Sequence, residues 1–119
     1  MRILLVDDDD EARTLWALAL GRAGHEVQQA RTVAEAISLG RSMRAEVLVV
    51  DRNLPDGDGA DVVAALSEAG RPPAIALSGH DVRPEEKRFA VQLVKPVALA
   101  QLLACLQQVA PRTQADSPQ

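Results

Sequence analysis

The 119-residue chain sets 17 acidic against 13 basic residues, for a formal charge of −4, and is 47% apolar with Trp16 and Phe89 as its aromatic residues. That length suits one domain with a core that needs no staples; the lone Cys105 leaves no internal disulfide, and an acidic chain with two rings argues against direct nucleic-acid binding. No apolar run reaches the ~18 residues of a membrane span, and Met1-Arg2-Ile3-Leu4-Leu5-Val6 runs into four aspartates and reads as neither leader nor span, so a cytoplasmic protein is expected.

Strand-length apolar runs alternate with helix-period segments five times along the chain. The first run is Arg2 to Val6. A helix follows in which Ala12, Leu15, Trp16, Ala19 and Leu20 recur at helical spacing, closed by Gly24. A more polar strand from Glu26 to Ala30 suggests a sheet edge, and Thr32 starts a second helix with Ala36, Ile37 and Leu39 on one face. Glu46 to Asp51 contains Val47-Leu48-Val49-Val50, the uninterrupted pattern of a parallel strand covered on both sides.

The cluster Pro55-Asp56-Gly57-Asp58-Gly59 predicts a turn, with Asp56 and Asp58 as turn formers, before a helix carrying Val62, Val63 and Leu66 that ends at Gly70-Arg71-Pro72-Pro73. A fourth strand, Ala74 to Ser78, precedes a short helix from Pro84 to Phe89, and a fifth runs from Val91 to Val94. The last helix places Leu99, Leu102, Leu103, Leu106 and Val109 on one stripe and stops at Pro111. Residues 1–110 therefore form the expected domain, and 111–119 a polar tail or linker.

Strands alternating with helices imply right-handed crossovers and a doubly wound parallel sheet. In such sheets ligands gather beyond the carboxyl ends of the strands. The residues there are Asp7 and Asp8, Asp51, Ser78 and Lys95. Three carboxylates at one edge repel one another unless cations or protons compensate them. Oxygen donors without His or Cys favour Mg²⁺, which is usually held by one or two carboxylates together with phosphate oxygens. Within that set a carboxylate can accept a phosphoryl group, while a lysine and a hydroxyl can neutralise and orient its oxygens. Asp9, Asp10 and Glu11 are read instead as helix-capping and dipole-favouring acids.

The motifs Ile3-Leu4-Leu5-Val6-Asp7-Asp8, Val49-Val50-Asp51 with Leu54-Pro55-Asp56-Gly57-Asp58-Gly59, Ala76-Leu77-Ser78-Gly79 and Val94-Lys95-Pro96 resemble the receiver domain of two-component response regulators, of the chemotaxis-regulator kind. The resemblance covers residues 2 to about 109. It implies a flavodoxin-like (βα)5 fold with sheet order 2-1-3-4-5 and a shortened fourth helix. It also implies that Asp51 is the phosphoacceptor, that Asp7, Asp8, Asp51 and the backbone carbonyl of Asn53 hold Mg²⁺, and that Ser78 and Lys95 contact the phosphoryl group. The family's Lys-Pro peptide is cis. Asn53 and His80 stand two positions beyond the acceptor and the hydroxyl, where side chains tune the attack of water.

The partners implied are a histidine kinase or phosphotransfer protein, and a downstream effector protein or attached domain. The chain would be a self-catalysed switch rather than a metabolic enzyme, standing alone or forming part of a hybrid kinase. One departure concerns readout. Gln92 occupies the position where the family commonly has Tyr or Phe, so signalling without the usual aromatic-coupled dimer is expected. The alternative is a phosphorylation-independent pseudo-receiver acting as an interaction module. A flavin-binding electron carrier of the same fold is disfavoured, since no Ser/Thr/Gly-rich phosphate loop follows the first strand.

Overall fold

The computed structural model describes residues 1–67, 72–79 and 88–109. Five parallel strands form one sheet: β1 (Arg2–Val6), β2 (Glu26–Ala30), β3 (Val47–Asp51), a fourth strand over Ala74–Ser78 and a fifth over Val91–Val94. A two-residue hairpin, β4 (Asn53–Leu54) with β5 (Gly57–Asp58), interrupts the count, so the last two sheet strands are β6 and β7. The spatial order is β2-β1-β3-β6-β7, the doubly wound order expected. β3 is central and buried along its whole length, whereas β2 lies at the edge and keeps Glu26, Gln28 and Gln29 exposed.

Strand alternation sorts the core into two halves. Leu4, Val6, Leu48, Val50, Ala74 and Ala76 face α2 (Val33–Met43) and α3 (Gly59–Leu66). Ile3, Leu5, Val47, Val49, Ile75 and Leu77 face α1 (Asp10–Arg22) and α4 (Leu99–Val109). Among the described residues, no helix is long and apolar enough to cross a membrane.

Two expected stripes shift. Leu15 is 63% exposed, and the buried line of α1 runs instead through Trp16, Ala17 and Leu20. At 3.6 residues per turn Leu15 stands about 140° round the helix from Leu20, too far for both to face the sheet. In α4, Leu102 and Leu106 are buried, but Leu99, the first residue of the helix, is 39% exposed. The expected short helix from Pro84 to Phe89 lies largely outside the described residues; Arg88 and Phe89 belong to neither helix nor strand. The end at Gly70 and Arg71, His80, and the tail from residue 111 also lie outside them.

Local caps match the sequence in part. Asp9 caps α1 by accepting from the N–H groups of Glu11 and Ala12, and the Thr32 hydroxyl accepts from Glu35 N–H at 3.1 Å. Asp10 forms ion pairs with Arg13 and Arg31. The two turn aspartates do more than shape a turn. Asp58 is the N-cap of α3 in a reciprocal capping box with Asp61. Asp56 reaches across to α2, accepting from Val33 N–H at 2.8 Å and Ala34 N–H at 3.1 Å. These bonds hold its carboxyl below the usual carboxylate range.

A group whose pKa falls on folding stabilises the fold above its unfolded pKa, and that contribution fades as pH drops through the folded value. Asp56→Ala should therefore lower the melting temperature at neutral pH. The gap to the unaltered protein should close as the pH falls below 3.8, the ordinary aspartate value; a gap independent of pH in calorimetry would contradict this assignment.

Candidate functional site

Parallel register brings the site together. Val6 pairs with Val50, Asp51 with Leu77, and Ser78 with Val94, so four strands end on one edge. Asp7 and Asp8 follow β1, Asp51 closes β3, Ser78 closes β6 and Lys95 follows β7. The Lys95–Pro96 peptide is cis. Asp7, Asp51 and Ser78 are buried, while Asp8 is exposed at the mouth.

One oxygen from each of Asp7, Asp8 and Asp51 lies within 4.8 Å of the other two. Lys95 Nζ donates to Asp51 Oδ2 at 2.9 Å and stands 4.0 Å from Asp7 Oδ2. Asp51 Oδ1 accepts from Asn53 N–H at 3.0 Å. Asp7 Oδ1 accepts from Asp9 N–H at 2.9 Å, but its Oδ2 is buried without a hydrogen-bond partner. The Ser78 carbonyl accepts from Lys95 N–H at 2.7 Å, tying the hydroxyl-bearing strand end to the lysine.

The electrostatics follow from burial and crowding. Burial pushes the Asp7 carboxyl above its ordinary value; the Asp9 N–H and Lys95 oppose this, and the charges of Asp51 and Asp8 add to it. Burial pulls the Lys95 ammonium down, but the Asp51 hydrogen bond and the charges of Asp51, Asp7 and Asp8 outweigh it and hold its pKa above the ordinary value. At an effective dielectric of about 20, unit charges ~5 Å apart repel by roughly 3 kcal/mol, so one lysine among three carboxyl groups leaves an unmet demand for positive charge.

An all-oxygen donor set with an orphaned buried oxygen is the chemistry a hard divalent cation satisfies. Asp7, Asp8 and Asp51 fit that demand. Asn53 sits beside them at the start of β4.

Three residues support the site in ways the sequence alone does not show. Arg13 Nη1 donates to the Asp7 carbonyl at 2.8 Å and braces the acid pair from behind. Gly59 packs so close to the end of β3 that a Cβ there would lie 2.5 Å from the Asp51 carbonyl oxygen; its turn-forming cluster hides this. Trp16 joins Ala12, Leu77, Pro96 and Val97 in lining a hollow of about 410 Å³ that opens beside Asp7 and Lys95.

The family model for the response regulator receiver domain matches residues 3–107. The chain belongs to this family. It is 34% identical over 119 residues to the response regulator MprA of Mycobacterium avium, covering 95% of this chain and 52% of that protein. The transcriptional regulatory protein AfsQ1 of Streptomyces coelicolor is 34% identical over 79 residues, 66% of this chain and 35% of the relative. The chain thus spans a third to a half of these regulators. The chemotaxis protein CheY4 of Vibrio cholerae superposes with a TM-score of 0.82 at 30% identity, covering 91% of this chain and 97% of the other. The receiver fold and its sheet order therefore stand as expected from the motifs.

Because folding raises the Asp7 pKa, its charged form costs stability at neutral pH, and this cost is relieved as pH falls through the raised value. Asp7→Asn should unfold at higher urea than the unaltered protein at pH 7 without divalent ions, with the difference shrinking in acid. Adding Mg²⁺ should stabilise the unaltered receiver more than the variant; equal stabilisation of both would show that Asp7 does not hold the ion. Gly59→Ala should lower stability by about 1–3 kcal/mol through overpacking against β3, measurable by the same denaturation.

Proposed function

We propose that this receiver domain accepts a phosphoryl group onto Asp51 from the phosphohistidine of a histidine kinase or phosphotransfer protein. The observation that carries this reading is the meeting of Asp51, Asp7 and Asp8 with Lys95 at one sheet edge. In the transfer, the bond between phosphorus and the donor imidazole breaks as a bond to an Asp51 carboxylate oxygen forms. Hydrolysis later returns the carboxylate and releases inorganic phosphate.

Asp7, Asp8, Asp51 and the Asn53 carbonyl are the groups that would hold Mg²⁺. That ion supplies positive charge for the phosphoryl oxygens. Lys95 already stands within hydrogen-bond distance of Asp51 Oδ2, so its ammonium would sit beside the oxygens of the transferred group. The Ser78 hydroxyl, at the end of the adjacent strand, would donate to another. Asn53 N–H orients the acceptor carboxylate by holding Oδ1. Phosphoryl transfer asks mainly for positioning and charge neutralisation, and these groups offer both.

The modified state would make contacts through Ser78 and Lys95 that the free state lacks, and so shift a two-state population. The chain would act as a switch rather than a metabolic enzyme, with output through an effector protein or an attached domain. The complete acid set with Lys95 supports this reading over that of a pseudo-receiver.

Incubation with acetyl phosphate or a phosphohistidine donor and Mg²⁺ should label the protein with a hydroxylamine-labile phosphoryl group. Asp51→Asn should reduce labelling to background, as should withholding the ion. Undiminished labelling of the variant would remove Asp51 from the acceptor role.

A further inference from the structure

Arg52 is a buried charge for which the phosphoryl chemistry has no use. It follows Asp51 directly, so strand alternation turns it to the other side of the sheet edge, where it meets Phe89 of the core beneath α2 and α3. Arg52 is 6% exposed. Its Nε and Nη2 donate to Asp58 Oδ1 and Oδ2 at 3.1 and 3.0 Å, and its Cζ lies 5.3 Å from the centre of the Phe89 ring. Buried guanidinium is tolerated only when paired; here a carboxylate matches its fork and a ring face attracts its charge.

The main chain of Arg52 is equally engaged. Its N–H donates to the Leu77 carbonyl at 2.9 Å, and its carbonyl accepts from Gly59 N–H at 3.0 Å. Asp58 and Phe89, two of the groups its head meets, are held differently. Asp58 is fixed as the N-cap of α3, where Oδ1 also accepts from Ala60 N–H at 2.9 Å. Phe89 lies in a segment that is neither helix nor strand, and it borders a hollow of about 560 Å³ shared with Val63, Ser67 and Pro73. The next residue, Ala90, bonds through its N–H to the Ala74 carbonyl at 2.8 Å as β7 begins.

We infer that Arg52 is a positioning residue that couples the Asp51 carboxylate to Phe89 and thereby to the start of β7. The inference rests on the phosphoacceptor reading of Asp51. A new group on Asp51 disturbs the 51–53 backbone, because Asn53 N–H holds the carboxylate's Oδ1. That backbone carries Arg52, whose head bears on both Asp58 and Phe89. Of these two, Asp58 is anchored by its helix, and the ring in contact with the guanidinium takes up the displacement.

The test uses Mg²⁺ and beryllofluoride as the probe, read by backbone amide NMR with and without it. In the unaltered chain the probe should shift the amides of Asn53 and Lys95, and also those of Phe89, Ala90 and Val91. In Phe89→Leu the probe should still bind with a dissociation constant within about threefold of the unaltered value. It should still shift Asn53 and Lys95, while the response at residues 89–91 falls to less than about half.

Arg52→Lys keeps the charge and loses the planar fork, and should uncouple the same residues; it tests the idea independently if the leucine variant does not fold. Full shifts at residues 89–91 in a variant that binds the probe would overturn the coupling alone. Failure of the unaltered chain to take up beryllofluoride would overturn the phosphoacceptor reading, and this inference with it.

Discussion

Parallel register is the constraint on which the rest depends. Because β1, β3, β6 and β7 run the same way and end level, any polar residue that terminates one of them meets the residues that terminate the others. Apolar strands bury their own backbones in the sheet, but the edge where they stop is where charge collects. Asp7, Asp8 and Asp51 are crowded there with Lys95, and the backbone positions of Asp51 and Lys95 are set by the ends of β3 and β7.

This arrangement stores an electrostatic cost at the carboxyl edge of the sheet. Asp7 is enclosed, its Oδ2 has no hydrogen-bond partner, and its carboxyl is driven toward the neutral form. A domain selected for stability alone would place a neutral, satisfied side chain at that position. The supports around the cluster run the opposite way. Arg13 braces the Asp7 carbonyl, Gly59 lets α3 close on the end of β3, and Asp56 and Asp58 fix the starts of two helices. Rigid surroundings keep the repelling groups together.

The far side of the edge carries its own polar device. Gln92, on the outer strand β7, pairs in register with Ala76 of the buried core. The ring in the core on that side comes from Phe89, outside the regular strand, under the guanidinium of Arg52. Arg52, the residue next to Asp51, is thereby tied to a ring that stands two positions before β7.

Much of this was legible in order along the chain. Apolar runs of strand length, helical spacing between them and turn clusters define the alternation, and alternation with right-handed crossovers leaves few topologies; the acids, Ser78 and Lys95 then fall at strand ends because they interrupt those runs. The sequence pattern could not decide which side of α1 faces the sheet, since Leu15 and Leu20 are equally apolar and only the packed sheet selects between them. Nor could it reveal that Asp56 caps a helix 23 positions earlier in the chain, or that Arg52 finds a carboxylate and a ring. Periodicity reports what a segment buries, because burial repeats with the geometry of the segment itself. Pairings between distant polar groups have no period, and only the folded chain brings their partners within reach.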